Sequence, residues 1–344
     1  MARLFVHAIN VHHGGGAVLL HDLLRAIPSG IDVVAHVDVR MKMPSDLPEQ
    51  VRVELVEPTL LGRLAAERRL VRMVSMDDRI LCFGNLPPLF KLHGKVIVFL
   101  QNRYLIDLDA PLGMLPLKSR IRLWLESNWL RRRRFNASQY IVQTPSMQRL
   151  TENRLGVPVV CAPFMPVRNK DQVCIWVDQQ FDFLYVASGE PHKNHVGLIR
   201  AWGLLADSGL FPTLALTLEP ESAPKLCELV AREVSLRGLR IHNLGMLPSS
   251  RLLDLYRKSG ALIYPSSFES FGLPLVEACQ SGLPILAPEL DYVRDVVVPD
   301  ETFDPRSPVS IARAVKRFLK CEKPPVVPAS AKEFIAHILA KDFQ

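Results

Sequence analysis

The sequence predicts an α/β protein made of two successive doubly wound halves. Short apolar runs alternate with helical stretches along the chain, as in βα units, and the alternation restarts after a polar, lysine-containing segment at 167–172. The 344 residues also suit two domains better than one. In the first half, strands are expected at 4–9, 33–37, 80–83, 96–100, 140–142 and 159–161. Helices are expected at 17–26, 63–73, 117–135 and 146–154. In the second half, strands are expected at 183–186, 213–218, 240–243, 261–264 and 285–287, with helices at 196–205, 224–237, 249–258, 275–280 and 309–319. The helix at 275–280 is read from Leu275, Val276, Ala278 and Cys279, and Gly282-Leu283-Pro284 closes it before an apolar strand. The domains are set at 1–167 and 168–330. A proline-rich turn ending at Pro328 is followed by a candidate last helix at 331–339. Doubly wound sheets bind ligands at the carboxyl ends of their strands, so the two halves are expected to face a common cleft.

Composition narrows the class. A hydrophobic share of 48% is that of a packed globular chain. The six cysteines are dispersed, without zinc spacing, and mostly sit in apolar runs, which favours buried thiols and a reducing cytosol. A first strand begins at once, with no signal-peptide pattern, and no apolar run reaches bilayer-spanning length, so the expected location is cytoplasmic. The net charge of +7 is concentrated near Lys118, Arg120, Arg122 and the run Arg131, Arg132, Arg133, Arg134. Trp124, Trp129 and aliphatic residues share that helix. A basic helix with tryptophans can lie on an anionic membrane, which would place the protein peripherally on its inner face. A solvated helix end whose cations complement the dipole is the other reading. Nucleic acid is not expected as a partner, because no nucleic-acid fold or aromatic-basic interleaving accompanies the arginines.

The chemistry is densest in the run SSFESFGLPLVEACQSGLP from Ser266. Glu269 and Glu277, with seven residues between them, bracket a Phe-Gly-Leu-Pro turn and the start of a helix. Backbone N–H groups at a helix start receive phosphate or sugar oxygens, and a carboxylate inside the helix can accept both hydroxyls of a ribose. Two glutamates at such a spacing are also what an exposed helix carries by chance. The surrounding Ser-x-Glu-x-Phe-Gly and Glu-Ala-x-x-x-Gly-x-Pro context favours the site. Lys193, in the loop Ser188-Gly189-Glu190-Pro191-His192-Lys193-Asn194 after a strand, could neutralise a diphosphate. Gly14, Gly15 and Gly16 allow close approach of backbone to an anion, or form a plain tight turn. Asn85, Asn102 and Arg103 follow strand ends that face the expected cleft and could meet sugar hydroxyls or an acceptor phosphate. Gln143-Thr144 ends another such strand. Asp291, Arg294 and Asp295 read as helix-start residues near a dipole rather than a catalytic pair. No metal-ligand spacing is present in the sequence.

The Glu-x7-Glu run resembles the signature of retaining glycosyltransferases of family 4 (group 1), which have the two-domain GT-B fold. The resemblance implies that Glu269 lies at the donor sugar, that Glu277 binds the nucleotide ribose, and that the Phe271, Gly272 and Leu273 N–H groups face the donor. The loop at Lys193 is similar to the family's Glu-Pro-Arg-Lys-Asn, with His192 in place of arginine and Ala187 where many members carry another arginine. Ser188 and Asn194 are carried over with that loop to the donor. The triple glycine resembles the family's Gly-Gly loop for diphosphate or acceptor. Where many members have His-Asp, this chain has Asn102-Arg103, and Asn102 is the candidate to orient the donor sugar in the catalytic set with Glu269 and Lys193. A C-terminal helix, here within 331–344, often crosses back onto the first domain in this fold. The implied activity is transfer of a hexose or deoxyhexose, mannose-type favoured, from a nucleotide-diphosphate sugar. The acceptor would be a saccharide or lipid-linked saccharide in cell-surface polysaccharide synthesis, with neither metal nor further cofactor. A sugar-nucleotide epimerase of the same fold, or a non-catalytic binding protein, would share the fold and much of the site.

Overall fold

The computed structural model describes residues 3–165 and 179–321, and everything below concerns those residues. The N-terminal half contains β1 (Leu4–Ala8), α1 (Gly14–Arg25), β2 (Val33–Asp38), β3 (Val51–Val56), α2 (Leu60–Met73), β4 (Arg79–Cys82) and β5 (Lys95–Phe99). It continues through α3 (Leu117–Arg132), β6 (Gln139–Val142), α4 (Pro145–Leu155) and β7 (Val159–Cys161). The C-terminal half contains β8 (Phe181–Tyr185), α5 (His195–Asp207), β9 (Leu214–Leu216), α6 (Pro224–Arg237), β10 (Ile241–Asn243), α7 (Ser249–Arg257) and β11 (Ser259–Ile263). It ends with α8 (Leu273–Gln280), β12 (Ile285–Pro288), the short α9 (Asp291–Arg294), β13 (Glu301–Phe303) and α10 (Pro308–Phe318).

Both sheets are parallel and share one strand order. The seven-stranded sheet runs β3-β2-β1-β4-β5-β6-β7, and the six-stranded sheet runs β10-β9-β8-β11-β12-β13. In each half the first strand lies centrally, and the winding reverses between it and the fourth strand. This reversal opens the crevice in which doubly wound proteins bind ligands. The central strands are apolar because helices cover both faces. Phe183, Leu184 and Tyr185 of β8 are fully buried, as are Leu262 and Ile263 of β11.

Every expected strand and helix within these residues is present, most of them with ends shifted by a few residues. Two strands were not expected. β3 is an edge strand with only Val56 buried, and its charged Arg52 and Glu54 break the apolar run. β13 is three residues long, below what periodicity can register. The triple glycine is the first turn of α1 rather than a loop before it. A first turn makes no backward backbone bonds, so glycines are tolerated there. The expected boundary at 167/168 and the last helix at 331–339 lie outside the described residues.

Candidate functional site: a cleft between two helix N-termini

The carboxyl ends of the central strands of both sheets line a cleft of about 740 Å³. In the C-terminal wall, the chain leaves β8 through Ser188 and Glu190, which are hydrogen-bonded to each other, and makes a tight turn over Pro191–Lys193. The Tyr185 hydroxyl donates to the Lys193 carbonyl at 2.6 Å, fixing the height of the turn. The chain leaving β11 passes alongside, and the Ser267 N–H donates to the His192 carbonyl at 2.8 Å. Stitched together, the two loops bring Lys193 Nζ within 2.6 Å of Glu269 Oε1.

Glu269 is held by three donors, all on Oε1: Lys193, the Tyr264 hydroxyl at 2.8 Å and the Ser266 hydroxyl at 2.7 Å. A third tyrosine, Tyr292, donates to the Ser266 carbonyl at 2.7 Å and locks the loop from behind. Oε2 has no protein donor among the described residues, and Glu269 is one of the residues lining the cleft. Burial pushes the Glu269 carboxyl upward, but Lys193, His192 and these hydrogen bonds outweigh it and hold it below its ordinary range. The result is a fixed, ionised carboxylate with one oxygen open to a ligand hydroxyl.

Gly272, with φ of 77°, takes the left-handed conformation that turns this loop into α8. No side chain caps α8, so its first N–H groups, beginning at Leu273, have no intrahelical partner. One turn in, Glu277 lines the cleft and accepts a hydrogen bond from Tyr256 at 2.8 Å. The N-terminus of α1 comes from the opposite wall, also without a side-chain cap. A Cβ placed on Gly15 would lie 2.9 Å from Leu273 Cδ1, so the two helix starts nearly touch. Two positive helix ends converging beside Lys193 form a site for an anion.

Among the predicted site residues, Lys193, Ser188, Glu269, Phe271, Gly272, Leu273, Glu277, Gly14, Gly15, Gly16, Asn85, Asn102 and Arg103 all line the cleft. Asn194 does not. It sits at φ 58° as the turn into α5, and its amide donates to the Pro305 carbonyl at 2.6 Å, so it braces the loop that carries Lys193. Two other asparagines are also spent on backbone. Asn85 Oδ1 accepts from the Gln101 and Asn102 N–H groups at 2.6 and 2.9 Å, and Asn102 Oδ1 accepts from the Tyr104 N–H at 3.1 Å. Arg103 is bound to Asp107 at 2.7 Å and lies over the Phe268 ring, and its guanidinium donates to the Glu269 carbonyl at 3.3 Å. It ties the walls together rather than standing free for an acceptor phosphate.

Sequence reasoning passed over Tyr104, which packs on Phe268 with ring centres 4.5 Å apart and meets His192 edge-on at 5.9 Å. Its buried hydroxyl has no partner among the described residues, and neither has His192 Nδ1. Burial, with Glu269 and Glu190 nearby, pushes the Tyr104 hydroxyl up to about 12, so it remains a proton donor. Glu190, Thr217, Glu219, Met246 and Leu247 also line the cleft. The one signal for them was position, since each follows the carboxyl end of a strand.

The start of α4 is a second junction between the halves. Thr144 accepts from the Met147 N–H as the cap and donates to the Ser270 carbonyl at 3.4 Å. Asp295 accepts from the Ser146 N–H at 3.0 Å. Asp295, expected as a helix-start acid, stands at the end of its own short helix α9 and instead accepts at the start of α4 in the other half. Among the described residues no three His, Cys, Asp or Glu side chains gather as metal ligands, and no helix is long and apolar enough to cross a membrane.

Residues 168–333 match the family of glycosyl transferases group 1. The O-antigen chain mannosyltransferase B of Escherichia coli is 32% identical over 143 residues, 41% of this chain and 36% of that protein. The serotype-specific mannosyltransferase WbdA of Escherichia coli is 30% identical over 139 residues, 40% of this chain and 17% of that one. The matched stretch thus spans about a third or less of these two relatives. Among solved structures, Anabaena Alr3699/HepE in complex with UDP and glucose superposes with a TM-score of 0.64 at 16% identity, covering 93% of this chain and 90% of that one. A UDP-forming α,α-trehalose-phosphate synthase from Burkholderia vietnamiensis gives 0.66 at 14% identity, covering 93% and 92%. These likenesses and the paired parallel sheets give the fold as GT-B.

Proposed function

We propose, from the premise that this chain is a group 1 glycosyltransferase of GT-B fold, that it transfers a hexose of mannose type from a nucleotide-diphosphate sugar to a saccharide or lipid-linked saccharide. The observation that carries the reading is the meeting of the α1 and α8 N-termini beside the Lys193–Glu269 pair. The diphosphate lies at the helix ends and Lys193, where the charge that develops as the bond to the sugar breaks is stabilised by groups already in place. Glu277 receives the ribose hydroxyls, and Glu269 Oε2 receives a hydroxyl of the transferred sugar. The N-terminal wall, with Gly14–Gly16, Tyr104 and the Asn85-braced loop, receives the acceptor.

The transfer retains configuration. The acceptor hydroxyl attacks the anomeric carbon on the face from which the diphosphate departs, and a phosphate oxygen takes its proton. Mannose as the sugar, and O-antigen-type polysaccharide as the product, rest on the names of the relatives. The test is a panel of GDP-, UDP- and dTDP-sugars, scored first by thermal shift and then by transfer to saccharide acceptors. A GDP-hexose that both stabilises the protein and is consumed only with acceptor present is the expected result. Interconversion of the nucleotide sugar without acceptor would instead make the protein an epimerase.

A further inference from the structure

The outward face of α3 carries an apolar stripe that nothing in the cleft uses. Leu117, Ile121, Trp124 and Leu125 recur at i, i+4, i+7 and i+8, one face of a helix. They are 69%, 53%, 65% and 56% exposed. The opposite face holds the helix to the body of the domain. Leu123 and Leu130 are buried there, Ser127 donates to the Leu105 carbonyl, and the Trp129 indole donates to the Pro87 carbonyl. The stripe is therefore not a misplaced core face.

Charge identifies what the stripe suits. Lys118, Arg120, Arg131 and Arg132 are exposed and project beside it along the length of the helix. The one acid of α3, Glu126, falls on the inward side and faces Arg122. A protein interface excludes charge from its apolar centre, whereas a helix lying in a lipid headgroup layer interleaves cations with tryptophan and aliphatic side chains. Position adds a third argument. α3 carries the chain from β5 to its parallel neighbour β6, so its N-terminal end, with Leu117 and Ile121, lies on the carboxyl side of the sheet. That is the side on which the cleft opens.

We propose that the outward face of α3 docks this protein on an anionic lipid bilayer, with Leu117, Ile121, Trp124 and Leu125 in the headgroup layer and the mouth of the cleft beside the surface. The expected run Arg131, Arg132, Arg133 and Arg134 changes meaning accordingly. Arg134 is turned back over the Phe135 ring and onto the Arg131 carbonyl, so the cations that meet lipid are Lys118, Arg120, Arg131 and Arg132.

The experiment is sedimentation of the full chain with phosphatidylcholine vesicles, with and without phosphatidylglycerol, at low and high salt. Binding is expected to vesicles containing phosphatidylglycerol, to weaken with salt, and to fall about tenfold or more in the double variant Ile121→Glu, Trp124→Glu. Both side chains are exposed, so the variant should keep the wild-type melting temperature. No binding by the wild type overturns the proposal, as does equal binding by the variant. A stripe that instead pairs two copies would show as a dimer in analytical ultracentrifugation that the variant abolishes, and that result also overturns it. Sedimentation does not depend on sugar transfer, so this outcome is separate from that of the proposed activity.

Discussion

The two walls of the cleft share a strand order but commit their polar groups differently. In the C-terminal wall, three tyrosine hydroxyls fix the Lys193 carbonyl, the Glu269 carboxylate and the Ser266 carbonyl, and leave Glu269 Oε2 open. In the N-terminal wall, Asn85 and Asn102 spend their carbonyl oxygens on the chain itself, and the buried Tyr104 hydroxyl remains unpartnered. One wall is organised before any ligand arrives. The other still holds a buried polar group that no protein atom satisfies.

The largest effect should come from breaking the organised wall. Glu269→Ala leaves Lys193 without its partner and should reduce the transfer rate about 100- to 1000-fold, as for loss of one preorganised electrostatic group. Circular dichroism should remain native, and a rate within about tenfold of wild type would remove Glu269 from the reaction. Wedging the walls apart comes next. Gly15→Val places a side chain against Leu273 Cδ1, the movable end of a flexible side chain, and should lower kcat/KM about fivefold, roughly 1 kcal/mol. Adding Leu273→Ala should recover part of that loss, and a double variant no better than the single would show that the contact does not limit closure.

Acid should weaken the organised wall measurably. Burial, with Lys193 and His192 adding to it, pushes His195 down to about 3, so it stays neutral in the folded protein while the unfolded chain protonates near 6.5. The unfolded state then binds more protons as pH falls below 6.5, and stability drops by up to about 1.4 kcal/mol per pH unit. Glu269, held low, adds a loss of the same sign below about 4.5. Urea midpoints at pH 7.5, 6.0 and 5.0 in wild type and His195→Gln should converge as pH falls, and a constant gap would contradict this. On the other wall, Tyr104→Phe should raise stability by about 1 kcal/mol in urea unfolding, because it removes a buried hydroxyl that has no protein partner, and a loss of stability would contradict this. The smallest effect is expected of Asp295→Asn, about 0.5 kcal/mol, seen as a shift toward open forms in small-angle scattering.

What was legible in the sequence follows from the same contrast. Glu269, the helix start at Leu273 and Glu277 occupy nine consecutive residues, so spacing alone places them on one loop and one helix. Asn85, Asn102 and Asn194 were legible as strand-end polar residues, but no pattern separates an asparagine that binds ligand from one that caps a turn. Asn85 and Asn194 have positive φ, a conformation asparagine adopts more readily than most residues. Tyr104 escaped notice because its role comes from Phe268 and His192, more than 80 residues away in sequence. Asp295 ends its own short helix instead of starting one, and its contact with the first turn of α4 exists only where the halves meet, so no local pattern could signal it.

That pairing gives the molecule a latch. Were the halves to separate, α4 would lose the carboxylate at its first turn and the Thr144–Ser270 contact, but Thr144 would keep capping it from within, so the helix would survive the loss of that charge contact. Such a catch is released by ions rather than by unfolding, and it loosens as ionic strength rises. If departure of the spent nucleotide requires the halves to swing apart, salt should quicken turnover over the range where it leaves the fold untouched.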